Sequence, residues 1–190
     1  MKSIITFIIL AVLLILPEIA AFAGTIYLEN EWYKQGRPVM QFVPVQTTEN
    51  PDYYQFTNGR YAFTIHVPRE FTQVRFPSNG DGCIFLDNRG STFSVSGSHN
   101  VLGKTVQQQY LDLLAKHPKA PFAGKGSDWC VISYLKEGYI VYEKYFINSE
   151  YINSWYFEYP QYLGPEYDPK CEHIEATFVP GWKTGLRILG

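Results

Sequence analysis

The side chains best suited to acid–base or metal chemistry are four histidines, His66, His99, His117 and His173. Two histidines four apart on one helix would present a metal-binding edge, and no pair here has that spacing. His66 falls on the polar face of a predicted strand, and His117 and His173 fall on helices far apart in sequence. His99 lies in a Gly97-Ser98-His99-Asn100 loop and can approach Asp81 or Asp87 if loop and turns share one end of a sheet. A His99–Asp81 pair would supply acid–base chemistry for a hydrolase; the alternative is a solvent-exposed loop histidine. Gly97-Ser98 follows a strand and precedes a helix, yet the Gly-x-Ser-x-Gly elbow of serine hydrolases is absent. Asn79-Gly80-Asp81-Gly82 and Asp87-Asn88-Arg89-Gly90 are rich in oxygen but lack EF-hand spacing, and both read as turns. A phosphate-binding glycine loop is missing. No metal and no cofactor are expected.

Cys83, Cys130 and Cys171 fit neither a Cys-x-x-Cys redox motif nor a zinc spacing. In an oxidising compartment two can pair, with Cys130–Cys171 the favoured pairing; the alternative is three buried thiols acting as small hydrophobes. Glu143 and Lys144 are neighbours in an aromatic strand and therefore point to opposite faces, as charges that protect an edge strand do. The chain is rich in aromatics, with 15 Tyr, 13 Phe and 4 Trp. Strand cores explain most of them. The C-terminal third, however, is aromatic on both faces of Trp155-Tyr156-Phe157-Glu158-Tyr159, so it is either covered on both sides or left open as a binding surface. In the open case Tyr159, Tyr162 and Trp182 would line a groove.

These residues need elements to position them. Residues 24–57 carry Pro38, Pro44, Gly36 and a polar run from Gln46 to Asn50, and read as an irregular lead-in. Asn58-Gly59-Arg60 is a turn, followed by an alternating strand from Tyr61 to Val67 that Pro68 ends. Cys83–Leu86 and Thr92–Ser96 form a predicted hairpin. The clearest helix starts at Thr105, with Gln108 completing a capping box and Val106, Tyr110, Leu113, Leu114 and His117 on one face. Three strands follow, over Trp129–Leu135, Tyr139–Ile147 and Ser154–Tyr159. A last helix is predicted with Asp168 as N-cap and Pro169 in its first position, placing Cys171, Ile174 and Phe178 on one face. Residues 182–190 form a tail. This order predicts an α+β domain, an antiparallel sheet with helices packed on it.

The first 23 residues have a basic start, an apolar run from Ile4 to Leu16, and Ala21-Phe22-Ala23 at the end, the pattern of a secretory signal peptide. Cleavage after Ala23 would leave roughly 165 residues, about one domain. No cysteine marks a lipid anchor there, and no membrane span is expected in the mature chain. With 16 Lys plus Arg against 18 Asp plus Glu, the net charge of −2 argues against nucleic acid as a partner.

Asn58-Gly59-Arg60-Tyr61-Ala62-Phe63-Thr64-Ile65-His66-Val67-Pro68 resembles the opening strand of exported bacterial proteins with a PsbP-like fold, DcrB-like envelope proteins among them. Asn79–Gly82, Gly97-Ser98, Asp128-Trp129, Tyr142-Glu143-Lys144, Glu158-Tyr159-Pro160 and Tyr167-Asp168-Pro169 extend the resemblance to about Gly181. It implies an α-β-α sandwich and a binding or assembly role, and it carries over no catalytic residue. Ala62 departs from the pattern, where glycine is frequent. The expectation is an exported, periplasmic or secreted protein that is not an enzyme and binds a protein or envelope component. A hydrolase using His99 with Asp81 and an aromatic glycan-binding module are the alternatives.

Overall fold

The computed structural model describes residues 24–34 and 37–189; the predicted leader, residues 1–23, lies outside them. Most of the described residues in 24–57 are regular strand rather than an irregular lead-in. They form strands β1 (Thr25–Lys34), β2 (Arg37–Thr47) and β3 (Tyr53–Thr57). β1 and β2 pair antiparallel from Thr25↔Gln46 to Lys34↔Arg37. β3 pairs with β2 only at Gln46 and Thr47, so most of β2 has a neighbour on one flank, where a strand tolerates a proline such as Pro44. β4 (Thr64–Pro68) completes a four-stranded sheet in the order β1-β2-β3-β4.

The strand predicted over Tyr61–Val67 begins only at Thr64. Asn58 explains the delay: its side-chain oxygen accepts from the backbone N–H of Arg60 and Tyr61, and Ala62 turns the chain at φ +58°. This left-handed conformation favours glycine, so the departure at Ala62 falls at a turn rather than in an extended strand.

The larger sheet comprises β5 (Gln73–Arg75), β6 (Gly82–Leu86), β7 (Thr92–His99), β8 (Phe122–Lys125), β9 (Trp129–Lys136), β10 (Tyr139–Ile147) and β11 (Tyr151–Pro160). Its order is β5-β6-β7-β11-β10-β9-β8, and every neighbouring pair is antiparallel. Helix α1 (Val106–Lys116) carries the chain from β7 to the far edge, β8. Its capping box is formed as predicted: Thr105 Oγ1 accepts from Gln108 N–H, and the Gln108 side chain accepts from Thr105 N–H. The Glu137-Gly138 turn joining β9 and β10 has positive φ at both residues.

The last helix, α2, runs from Gly164 to Thr177, so it begins a turn before the predicted start, with Pro165 rather than Pro169 in its first turn. Asp168 is therefore not a cap and is free to act elsewhere.

The two faces of the large sheet bury different cores. Phe85, Phe93, Val95, Trp155, Phe157 and Tyr159 pack with β4 residues Ile65 and Val67 and with Tyr167, Cys171 and Ile174 of α2. Cys130, Ile132, Tyr134 and Val141 form a smaller core on the opposite face with Leu113 of α1. An antiparallel α+β architecture results, with one helix on each face of the large sheet.

Candidate functional site

A cleft of about 420 Å³ lies between α2 and the β8–β9–β10 end of the sheet. Strand register builds its floor. Phe122 of β8 pairs with Ser133 of β9, and Ser133 pairs with Tyr142 of β10, so these three form one cross-strand row. Leu135, Ile140 and Tyr159 form the next row through the same ladders. The wall comes from α2. Asp168, Cys171, Glu172 and Glu175 recur at i, i+3, i+4 and i+7, the spacing of one helical face, and all four line the cleft.

Tyrosines on the floor donate to carboxylates on the wall. Tyr159 Oη donates to Asp168 Oδ1 at 2.6 Å, and Tyr142 Oη donates to Glu175. The Tyr142 ring stacks on Trp155 with centroids 4.8 Å apart. Glu175 also pairs with Lys144, whose ammonium is buried and lies 4.4 Å from the centroid of the Trp129 ring. Burial, and then the carboxylate partners, raise the pKa of both Tyr142 and Tyr159. Burial likewise raises that of the Cys171 thiol. The floor tyrosines Tyr142 and Tyr159 are thus held as phenols that already donate to carboxylates, and Cys171 on the wall is held as the thiol. Exposed Asp168 and Glu172 on the rim have no cationic partner among the described residues.

The remaining sequence-derived candidates are distributed differently. Tyr159 lines the cleft and is buried, whereas Tyr162 is 74% exposed on the 3-10 turn Gln161–Leu163. Trp182 lies toward the opposite end of β11, next to Gly181, whose N–H donates to Asn153 Oδ1 at 2.9 Å. Asn153 and Tyr159 are six residues apart on one strand, about 20 Å at strand rise. The structure does not bring Tyr159, Tyr162 and Trp182 into one groove. Asp81 is engaged by Arg60 Nη1 and Asn79 Nδ2, both at 2.6 Å, while the His99 ring packs against Tyr61 and Tyr151. No hydrogen bond joins His99 to Asp81 among the described residues.

Cys83, Cys130 and Cys171 are all buried and unpaired. Cys130 faces the α1 core and Cys171 the α2 core, so the sheet itself separates the favoured disulfide partners. Glu143 and Lys144 do point to opposite faces, but β10 is an interior strand and both are buried. Glu143 accepts from the phenols of Tyr134 at 2.6 Å and Tyr145 at 3.0 Å. Two histidines that the sequence left apart do meet: His66 Nδ1 and His173 Nε2 are 3.0 Å from one another. No group of three or more His, Cys, Asp or Glu converges on a metal position among the described residues. No helix among them is long and apolar enough to cross a membrane.

The α2 stripe was readable from its spacing alone; the tyrosine floor required the register of four strands. No protein-family model matches the chain, and no curated protein matches it. Among solved structures it is similar to the solution structure of cyanobacterial PsbP (CyanoP) from Synechocystis sp. PCC 6803, at 8% identity and a TM-score of 0.48, over 68% of this chain and 92% of that one.

Proposed function

We propose that this chain is an exported, non-catalytic binding or assembly protein that docks a protein partner of the cell envelope on the β8–β9 end of its large sheet. The carrying observation is an apolar ridge left in water. Phe122 and Leu135 are 52% and 58% exposed, and both line the cleft beside α2. A second cavity of about 440 Å³, lined by His117, Pro118, Lys119, Ala120, Pro121, Tyr134 and Leu135, flanks the same ridge. An exposed apolar patch between two concavities is the form of a docking surface. Asp168 and Glu172 set its charge, so the partner segment that fits is apolar with a basic residue entering the cleft. The leader motif supports export, and the resemblance to envelope proteins supports the class of partner.

A photoreactive benzoylphenylalanine placed at Phe122 or Leu135 tests this reading in the producing cell. Cross-linking to one envelope protein is expected from these positions, and not from the similarly exposed Leu111 and Leu186. Equal labelling from all four positions would remove the docking surface. Robust turnover of an envelope substrate, abolished by one side-chain change, would remove the non-catalytic role.

A further inference from the structure

The His66–His173 contact joins two layers that also meet through apolar packing, the Lys170–Glu70 ion pair and the Thr64–Val179 backbone bridge. His66 is on β4 of the four-stranded sheet, and His173 is on α2, the helix that walls the cleft. The rings are tilted at 36° with centroids 5.2 Å apart, nearly the nitrogen separation plus two ring radii. Each nitrogen therefore points straight at the other, which is the geometry of one shared hydrogen. A chelate would look different: nitrogens about 2.0–2.1 Å from a single zinc ion would aim their lone pairs at a common point to one side. On the other side of His173 the Tyr53 ring stacks at 3.8 Å.

We propose that this pair is an acid-sensitive clasp that holds α2 against the four-stranded sheet and thereby sets the shape of the cleft. With both imidazoles neutral, one N–H donates to the other nitrogen. With one ring protonated, an imidazolium still donates to a neutral acceptor. With both protonated, two N–H groups face each other, the hydrogen bond is gone and two like charges stand in contact.

Among the described residues no carboxylate acts on either ring to neutralise the second charge. Tyr53 covers the pair from β3. The nearest charged groups around Tyr53 are Lys170, Glu70 and Asp52, and Lys170 and Glu70 are bound to one another. Burial opposes protonation of both rings, and the neighbouring His173 opposes it further at His66. The opposite face of α2 bears Asp168, Glu172 and Glu175, so release at His173 is transmitted to the cleft by the helix as a rigid rod. The consequence for binding rests on the docking surface proposed above; the clasp itself does not.

Amide hydrogen exchange of the whole chain at pH 7.5 and pH 5.0, corrected for intrinsic rates, tests the clasp directly. Protection across the C-terminal half of α2 is expected to be partly lost at pH 5.0, because burial lowers the proton affinity of both rings in the folded state. In His66→Gln, which keeps a hydrogen-bonding side chain without a titrating one, the loss should be smaller, because only the buried His173 is left to titrate. Unchanged protection in the parent protein, or an equal fall in His66→Gln, overturns the clasp. Cross-linking at Phe122, repeated at both pH values, is expected to fall with α2 protection. A fall in protection with no cross-link at either pH would preserve the clasp and remove the docking surface, whereas cross-linking that persists while protection falls would sever the link between them.

Discussion

Removing Glu175 should do more damage than removing its partner Lys144, although they form one ion pair. The Lys144 side chain is 5% exposed and that of Glu175 39%. In Glu175→Gln the ammonium stays buried, facing an amide and the Trp129 ring, without a counter-charge. Breaking a buried pair from one side costs about 3–5 kcal/mol, and the partial exposure of Glu175 and the remaining cation–π contact reduce this to about 2–3 kcal/mol. In Lys144→Met the stranded group is a carboxylate that still reaches water and still accepts the Tyr142 phenol, so the loss should be about 1 kcal/mol. The double variant carries no charge at the site and should cost about 1 kcal/mol as well, less than Glu175→Gln alone. Urea denaturation of the four proteins at pH 7, followed by circular dichroism, gives each value and the coupling between them. A Lys144→Met loss larger than that of Glu175→Gln, or a double variant equal to the sum of the singles, would refute this account of the cleft.

Three further outcomes are expected. Gly181→Ala would place a Cβ 1.7 Å from the Tyr61 carbonyl oxygen, a backbone atom that cannot swing aside, so it should cost at least about 3 kcal/mol or abolish folding, read in the same urea series. The three thiols should be inert to Ellman's reagent in the native protein and react fully in denaturant, because burial pushes Cys83 up to about 12 and Cys130 up to about 11 and raises Cys171; prompt native reaction of one equivalent would contradict this. Because the folded state lowers the pKa of both His66 and His173, their contribution to stability should be complete above the unfolded value of about 6.5 and decline as pH falls below it toward their folded values. A thermal-melt series from pH 7.5 to 5.0 should show that decline, and it should be shallower in His66→Gln.

Elements specified by local chemistry were legible in the sequence. The Thr105–Gln108 capping box, the Asp87–Gly90 hairpin and the Lys136-Glu137-Gly138 turn each depend on a few adjacent residues, and each is present. β1 and β2 were hidden because proline and polar residues are unfavourable in an ordinary strand, whereas a strand with one paired flank accepts them. The start of α2 was misplaced because Asp168-Pro169 imitates a cap, while the Asp168 side chain receives the Tyr159 hydroxyl instead. The cleft floor and the histidine pair share one reason for being missed. Phe122 meets Ser133 and Tyr142 only through strand register, and His66 meets His173 across 107 residues. Neither leaves a local pattern to read.

The strand order also has a consequence for when this protein can fold. β5-β6-β7 and β8-β9-β10-β11 are each built from sequential neighbours, and β11 alone stitches the two groups together by pairing with β7. β11 also supplies Trp155, Phe157 and Tyr159 to the main core, and α2 follows it directly. During synthesis, then, the large sheet stays in two unjoined parts until β11, residues 151–160, has emerged. Long-range pairing of this kind is slow to form. The two parts can each form early, but the native sheet is committed only when β11 enters between β7 and β10.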